Sequence, residues 1–224
     1  SKVVILPVPY DATVSYKSGT RDAPQAIIDA SRKMELFDEE TNFNISNLGI
    51  CTLDELDILV DPEKMAHRVY ETCQQLINDG KVIVMLGGEH SLSFGPVKAL
   101  REKYPNISVL HIDAHADMAF EDKGSKFCHG CVARRISEIC PIVQVGIRSI
   151  SGEETEYANK HKIKIFHASE IAKSADDNWM HEVASELTND VYVTIDVDAL
   201  DAERAFEKVQ EQRIHADAFD QARF

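Results

Sequence analysis

The sequence predicts an α/β fold, a three-layer α-β-α sandwich with a mostly parallel central sheet. Two observations carry this expectation. Short apolar runs alternate with helical segments along the chain. The runs, such as "VVIL" and "VIVML", are continuous rather than alternating with polar residues. Strands covered on both faces have that pattern.

The elements follow in order. "KVVILPV" (2–8) is an apolar run closed by Pro9 and reads as a buried strand. "SYKSGTRDAP" (15–24) is a loop, and Pro24 opens a helix through "QAIIDASRKMELFD". "SNLGIC" (46–51) reads as a short strand. Pro62 opens a second helix, stopped by Gly80. "KVIVMLGG" (81–88) is a buried strand, followed by the helix "SFGPVKALREKY". "ISVLHID" (107–113) is a strand, "HGCVARRISEI" a helix and "PIVQVGI" (141–147) a strand. "EETEYANKHK" is helical, "IKIFHA" (163–168) a strand, "NWMHEVASEL" helical and "DVYVTIDVD" (190–198) a strand. No internal repeat or low-complexity linker interrupts residues 1–201, which are expected to form one domain.

Composition narrows the function. With 224 residues, 44 % hydrophobic and 28 % charged, the chain can bury a substantial core. A net charge of -14 repels nucleic acid and anionic membrane, and mildly favours a cationic ligand. The apolar runs are too short to span a bilayer. Five scattered cysteines read as reduced thiols, which places the protein in a reducing, cytoplasmic compartment. "CHGC" (128–131) has Cys-x-x-Cys spacing, but no second pair follows to complete a zinc site.

Three strands end in ionisable residues. "VIVMLGGEHS" offers Glu89 and His90, "VLHIDAHADM" offers Asp113, His115 and Asp117, and "VYVTIDVDAL" offers Asp196 and Asp198. In a parallel sheet, ligands bind at these carboxyl ends. An extended chain would send Asp113, His115 and Asp117 to one side, and Asp196 with Asp198 likewise. Gly87 and Gly88 let the backbone turn and approach closely before His90. Burying converging carboxylates costs several kcal/mol each unless they are paired. No Arg or Lys lies inside the three runs. Four aspartates balance two divalent cations, with water or hydroxide left to bridge. Oxygen and imidazole donors without thiolate favour Mn²⁺ over structural zinc.

"GGEHS", "DAHAD" and "DVDALD", with "PYD…SGTRDAP" at the start and "VGIRS" at 145–149, resemble the ureohydrolase family of arginases and agmatinases. The resemblance covers about residues 1–201. It implies an arginase/deacetylase-like fold and a small-molecule guanidino substrate. It further implies two Mn²⁺ per subunit, and hydrolysis to urea and an amine by a metal-bridging hydroxide. By this resemblance His90, Asp113, Asp117 and Asp196 hold one metal. Asp113, His115, Asp196 and Asp198 hold the other, with Asp113 and Asp196 bridging. Asp117 orients the nucleophile and passes a proton to the leaving amine, and His129 shuttles protons. Glu89 supports the site without being a ligand. His111 matches no ligand and reads as a packed histidine. A homo-oligomer, trimer or hexamer, is implied as well.

Departures from the family pattern bear on substrate and fold. Arginases carry an Asn where this chain has Ala119, and "RDVD" where it has Arg148-Ser149-Ile150-Ser151. Those polar residues grip the head group of arginine. Their absence implies a substrate without it, agmatine first, giving putrescine. Another guanidino acid or formiminoglutamate is an alternative, as is a catalytically impaired metal-binding homologue or an amide deacetylase on a similar sheet. After "DVDALD" the family continues through a "GTGTPEPGG" loop to a last strand lying between the strand ending at His90 and the strand carrying Asp196. Here the chain reads "AERAFEKVQEQRIHADAFDQARF", a polar, helix-prone tail (202–224) with Ala205, Phe206 and Val209 as weak apolar anchors. Without that strand, the sheet would be split at this point and expose strand edges.

Overall fold

The computed structural model describes residues 1–200. The predicted helical tail, 202–224, lies outside the described residues. Nine strands and seven α-helices are described. They run β1 (Val3–Val8), α1 (Ala23–Ser31), β2 (Phe37–Asp38), β3 (Phe43–Asn44), β4 (Ile50–Thr52), α2 (Pro62–Asn78), β5 (Val82–Gly87) and α3 (Phe94–Lys103). Then come β6 (Ser108–Ile112), α4 (Val132–Ser137), β7 (Ile142–Ile147), α5 (Gly152–His161), β8 (Lys164–His167), α6 (Ala168–Ile171), α7 (Asn178–Glu186) and β9 (Val191–Ile195).

Among the described strands, every pairing outside the small β2–β3 hairpin is parallel, as the continuous apolar runs predict. The strands form two blocks, β4-β1-β5 and β8-β7-β6-β9. The break between β5 and β9 is where the resemblance places a further strand. Helices cover both faces. α2 and α3 pack Met65, Val69, Cys73 and Ala99 against Leu6 and Val8 of β1. α3, α4 and α5 close over Val109, Ile142 and Ile147. On the opposite face α7 sets Val183 and Trp179 against Val143 and Val145.

Three expectations need correction. The helix opened by Pro24 stops at Ser31 rather than Asp38. Its far end becomes the β2–β3 hairpin, where Phe37 pairs with Asn44. "SNLGIC" divides into a 3-10 turn, Ile45–Leu48, and β4, with Gly49 left-handed at φ 66° between them. The strands at the break are exposed, as expected for a sheet split at this point, so β5 is not the buried strand that its apolar run suggests. Val84 of β5 is 44 % exposed, and Val193 and Ile195 of β9 are 49 % and 63 % exposed. Apolar composition specifies a strand, but burial needs a neighbour, and β5 and β9 are not hydrogen-bonded to one another.

Candidate metal centre

The site forms where β5, β6 and β9 end. Each strand stops just before its ionisable residues, and a specific local device turns the chain there. After β5, Gly88 lies so close to β1 that a Cβ on it would fall 1.8 Å from Tyr10 O. Gly88 N donates to Val8 O and Glu89 N to Tyr10 O, so the turn into the His90–Ser93 3-10 helix is tied to β1.

Beyond β6 the chain does not continue as a strand, so simple alternation is not what gathers Asp113, His115 and Asp117. Asp113 N donates to Val145 O, and Ala116 N to Ser149 O. Asp117 then turns left-handed, at φ 52°. That conformation is uncommon for a non-glycine residue and persists where surroundings hold it. Here the Asp117 carbonyl accepts from Ala133 N and Arg134 N, the free donors at the start of α4. Beyond β9, Asp196 accepts from Asp198 N through its side chain and opens the Val197–Ala199 3-10 turn.

These turns bring all six predicted ligands together. His90 Nδ1 lies 2.7 Å from Asp113 Oδ2, 3.4 Å from Asp117 Oδ2 and 3.6 Å from Asp196 Oδ2. His115 Nδ1 lies 2.9 Å from Asp198 Oδ2 and 3.6 Å from Asp113 Oδ1. Asp113 thus faces both histidines, one through each oxygen. Two clusters could each hold a cation: His90, His111, Asp113 and Asp117, and then Asp113, His115 and Asp198. Asp113 belongs to both. The first pocket is buried. The second is open, with the His115 and Asp198 side chains 54 % and 42 % exposed.

The donor set fits a divalent metal. His90 Nδ1 is buried without a hydrogen-bond partner, although three carboxylate oxygens surround it. On the other side of the ring, Nε2 is 2.9 Å from Thr194 Oγ1. An Nε2–H donated there leaves the Nδ1 lone pair facing the carboxylates, as a ligand requires. The acids also crowd one another. Burial raises the Asp198 pKa, and the charges of Asp196 and Asp113 raise it further against a hydrogen bond from Ala114 N. Burial favours a neutral His90, but Asp113 and Asp117 outweigh it and push its pKa up to about 10. The pocket therefore draws positive charge, and a dication answers that demand better than protons.

His129 stands beside the cluster. Its 3-10 turn packs against the turn that carries His90. Its ring meets the N-terminal loop, with Nε2 3.0 Å from Ser15 Oγ and Nδ1 3.3 Å from Thr13 Oγ1. Glu89 accepts from Thr13 N and from the Thr13 and Ser91 hydroxyls, so it ties the same loop to the turn before His90. Sequence reasoning missed Thr13, Ser15 and Thr194, because single hydroxyl residues carry no spacing signal. It also missed the clamp made by Arg148, whose guanidinium donates to the carbonyls of Asp198 and Ala199. "VGIRS" was visible, but its reach to the β9 turn was not. Gly146 permits that reach: at φ 91° it sits in a bulge that turns Arg148 N and Ser149 N back onto Ala114 O.

Residues 1–205 match the arginase family. The chain belongs to the arginase family. This arginase-family chain is 37 % identical over 208 residues to the N(1)-aminopropylagmatine ureohydrolase of Synechocystis sp., covering 89 % of the chain and 67 % of that protein. It is 35 % identical over 201 residues to the agmatinase of Pyrococcus horikoshii, covering 88 % and 68 %. Among solved structures, the agmatine ureohydrolase of Thermoplasma volcanium superposes with a TM-score of 0.83 at 30 % identity, covering 90 % of this chain and 68 % of that one. The chain spans about two thirds of the length of these relatives. The family bears out the resemblance read from "GGEHS", "DAHAD" and "DVDALD". No described helix is long and apolar enough to cross a membrane.

Proposed function

We propose that this chain is an agmatinase-like ureohydrolase, a binuclear manganese amidinohydrolase that cleaves a guanidino compound to urea and an amine. The observation that carries this reading is the convergence of His90, His115, Asp113, Asp117 and Asp198 on two adjoining clusters that share Asp113, with Asp196 Oδ2 3.6 Å from His90 Nδ1. His90, Asp113, Asp117 and Asp196 hold one ion. Asp113, His115, Asp196 and Asp198 hold the other. Two bound divalent ions supply the polarisation that makes water nucleophilic at neutral pH.

The remaining steps belong to the protein. Asp117, held by the start of α4, orients the attacking water and passes its proton to the departing amine. His129, positioned by Thr13 and Ser15, exchanges protons with solvent. The acidic pocket attracts a cationic guanidinium. Ala119 stands where arginases carry Asn, and Ser149 and Ser151 stand where they carry Asp, so the amide and carboxylates that grip an α-amino acid head group are replaced, which favours agmatine over arginine. Relatives named for N(1)-aminopropylagmatine make an extended polyamine the nearest competitor. Residues 1–201 act as one domain, in the cytoplasm and as a trimer or hexamer.

Urea release in Mn²⁺, comparing agmatine, N(1)-aminopropylagmatine and arginine, tests the reaction. The expected order places arginine last. No urea from any guanidino substrate refutes the reading. Elemental analysis tests the ligands. Wild type holds two Mn²⁺ per chain, and Asp196→Ala loses most of them. Unchanged stoichiometry in that variant refutes the bridging role. A second reading is a metal-binding relative without turnover. Among the described residues no strand lies between β5 and β9 beside the site, which favours it, and it predicts two bound Mn²⁺ with no urea.

A further inference from the structure

A chain of buried polar groups runs from β7 into the site. Gln144 and His111 lie opposite each other on β7 and β6, at 0 % and 1 % exposure. Gln144 Nε2 is 2.7 Å from Ala116 O and 2.7 Å from His111 Nδ1. His111 Nε2 is in turn 2.9 Å from Asp113 Oδ2.

The proton positions along this chain follow from what each atom can do. A peptide carbonyl only accepts, so the group facing Ala116 O must be the amide nitrogen. Turning the amide over would set two carbonyl oxygens against each other in a buried space. The observed orientation leaves Gln144 Oε1 buried without a partner, yet it satisfies both Ala116 O and His111 Nδ1. With Nε2–H as the donor, His111 Nδ1 must accept, because a proton there would oppose the amide proton. The imidazole proton then lies on Nε2 and points at Asp113 Oδ2. That oxygen is the one 2.7 Å from His90 Nδ1.

His111 stands among the residues that could hold the first ion. Its neighbours leave it no lone pair to offer. We propose that Gln144 locks His111 in the Nε2–H tautomer, which makes His111 a fixed hydrogen-bond donor to Asp113 and excludes it as a metal ligand. Gln144 and His111 are positioning residues. They hold the carboxylate shared by both pockets in one orientation, so that its remaining lone pairs face the ions. This rests on the two-metal reading of the site only for its consequence. The tautomer itself is set by groups that no ion touches.

Long-range ¹H–¹⁵N correlation spectra of the histidine-labelled full chain, recorded without metal and with Mg²⁺ as a diamagnetic probe, test the lock directly. His111 is assigned by its loss in His111→Asn. In wild type, Nε2 carries the proton and Nδ1 is an acceptor, with or without the ion. A protonated Nδ1, or an unprotonated Nε2 that shifts on adding the ion, overturns the proposal. In Gln144→Glu the carboxylate can accept but not donate, so the proton on His111 moves to or adds at Nδ1. An unchanged ring in a folded variant overturns the role of Gln144. Mn²⁺ titration supplies a second measurement. Gln144→Leu weakens binding by roughly 10- to 100-fold, the usual consequence of freeing a ligand's outer partner. A variant with lowered thermal stability and unchanged Mn²⁺ affinity shows a packing role only and refutes positioning. If wild type binds no metal but keeps the Nε2–H tautomer, the functional reading fails while the lock stands.

Discussion

Gly88→Ala tests how the first ligand is placed. The added methyl would sit 1.8 Å from Tyr10 O, 2.7 Å from Tyr10 C and 2.9 Å from Tyr10 N. The first distance is about half that of ordinary contact, which begins at 3.4 Å. All three neighbours are backbone atoms, so no side chain can rotate away. The end of β5 must move off β1 by more than an ångström, and the bond from Glu89 N to Tyr10 O goes with it. Overpacking of this kind costs about 1–3 kcal/mol, and the lost hydrogen bond costs about 1 kcal/mol more. For a chain of this size the melting temperature should fall by roughly 4–16 °C. His90 is two residues away and moves with the turn, so one Mn²⁺ per chain should be lost before the other. Thermal melting followed by circular dichroism and elemental analysis of the purified protein read both effects. Gly152→Ala is the control, because a Cβ there meets nothing within 4 Å. A Gly88→Ala protein that melts within about 2 °C of wild type and keeps two Mn²⁺ would refute the close-approach argument.

Three further outcomes are expected. Ser151→Ala breaks the capping box with Glu154, whose Oε1 also accepts from Met118 N just beyond Asp117. Loss of the cap costs about 1 kcal/mol, so the melting point should drop by about 2–4 °C, and an unchanged melt contradicts the capping role. Ile195→Lys places a charge on the exposed edge of β9 and should reduce concentration-dependent association in light scattering without lowering stability. An unaltered scattering profile shows that this edge is not the sticky surface. Chelation should lower the melting point of the metal-loaded protein, since an ion present at 100 times its dissociation constant stabilises by about 2.7 kcal/mol per site. Identical melts before and after chelation would show that no metal is bound in the folded state.

Much of the fold is legible in the chain because its strands are short, continuous and punctuated. β1, β5, β6, β7 and β9 each lie within a predicted run, and Pro62 and Gly80 bracket α2 as their backbone chemistry requires. The segment after Ser31 is less legible. "RKMELFD" has helical composition, but Phe37 pairs with Asn44 and Asp38 with Phe43 across a hairpin, a pairing that local propensity does not encode. The site shows the same division. The ligand types and their places at strand ends are visible, while the turns that aim them depend on atoms far away in sequence. Asp117 takes its left-handed backbone because α4 begins fifteen residues later and needs acceptors.

The sequence by itself determined the order of strands and helices, the clustering of acids and histidines at three strand ends, and the charge that only cations can balance. These follow from local periodicity and from the cost of burying like charges, which depend on residue type alone. Tertiary structure decided the rest. It set the meeting of His90 with Asp196, the Arg148 clamp, and the hold of Gln144 on His111. Hydrogen bonds across strands act over about 3 Å but join residues far apart in the chain, so no pattern of spacing can announce them.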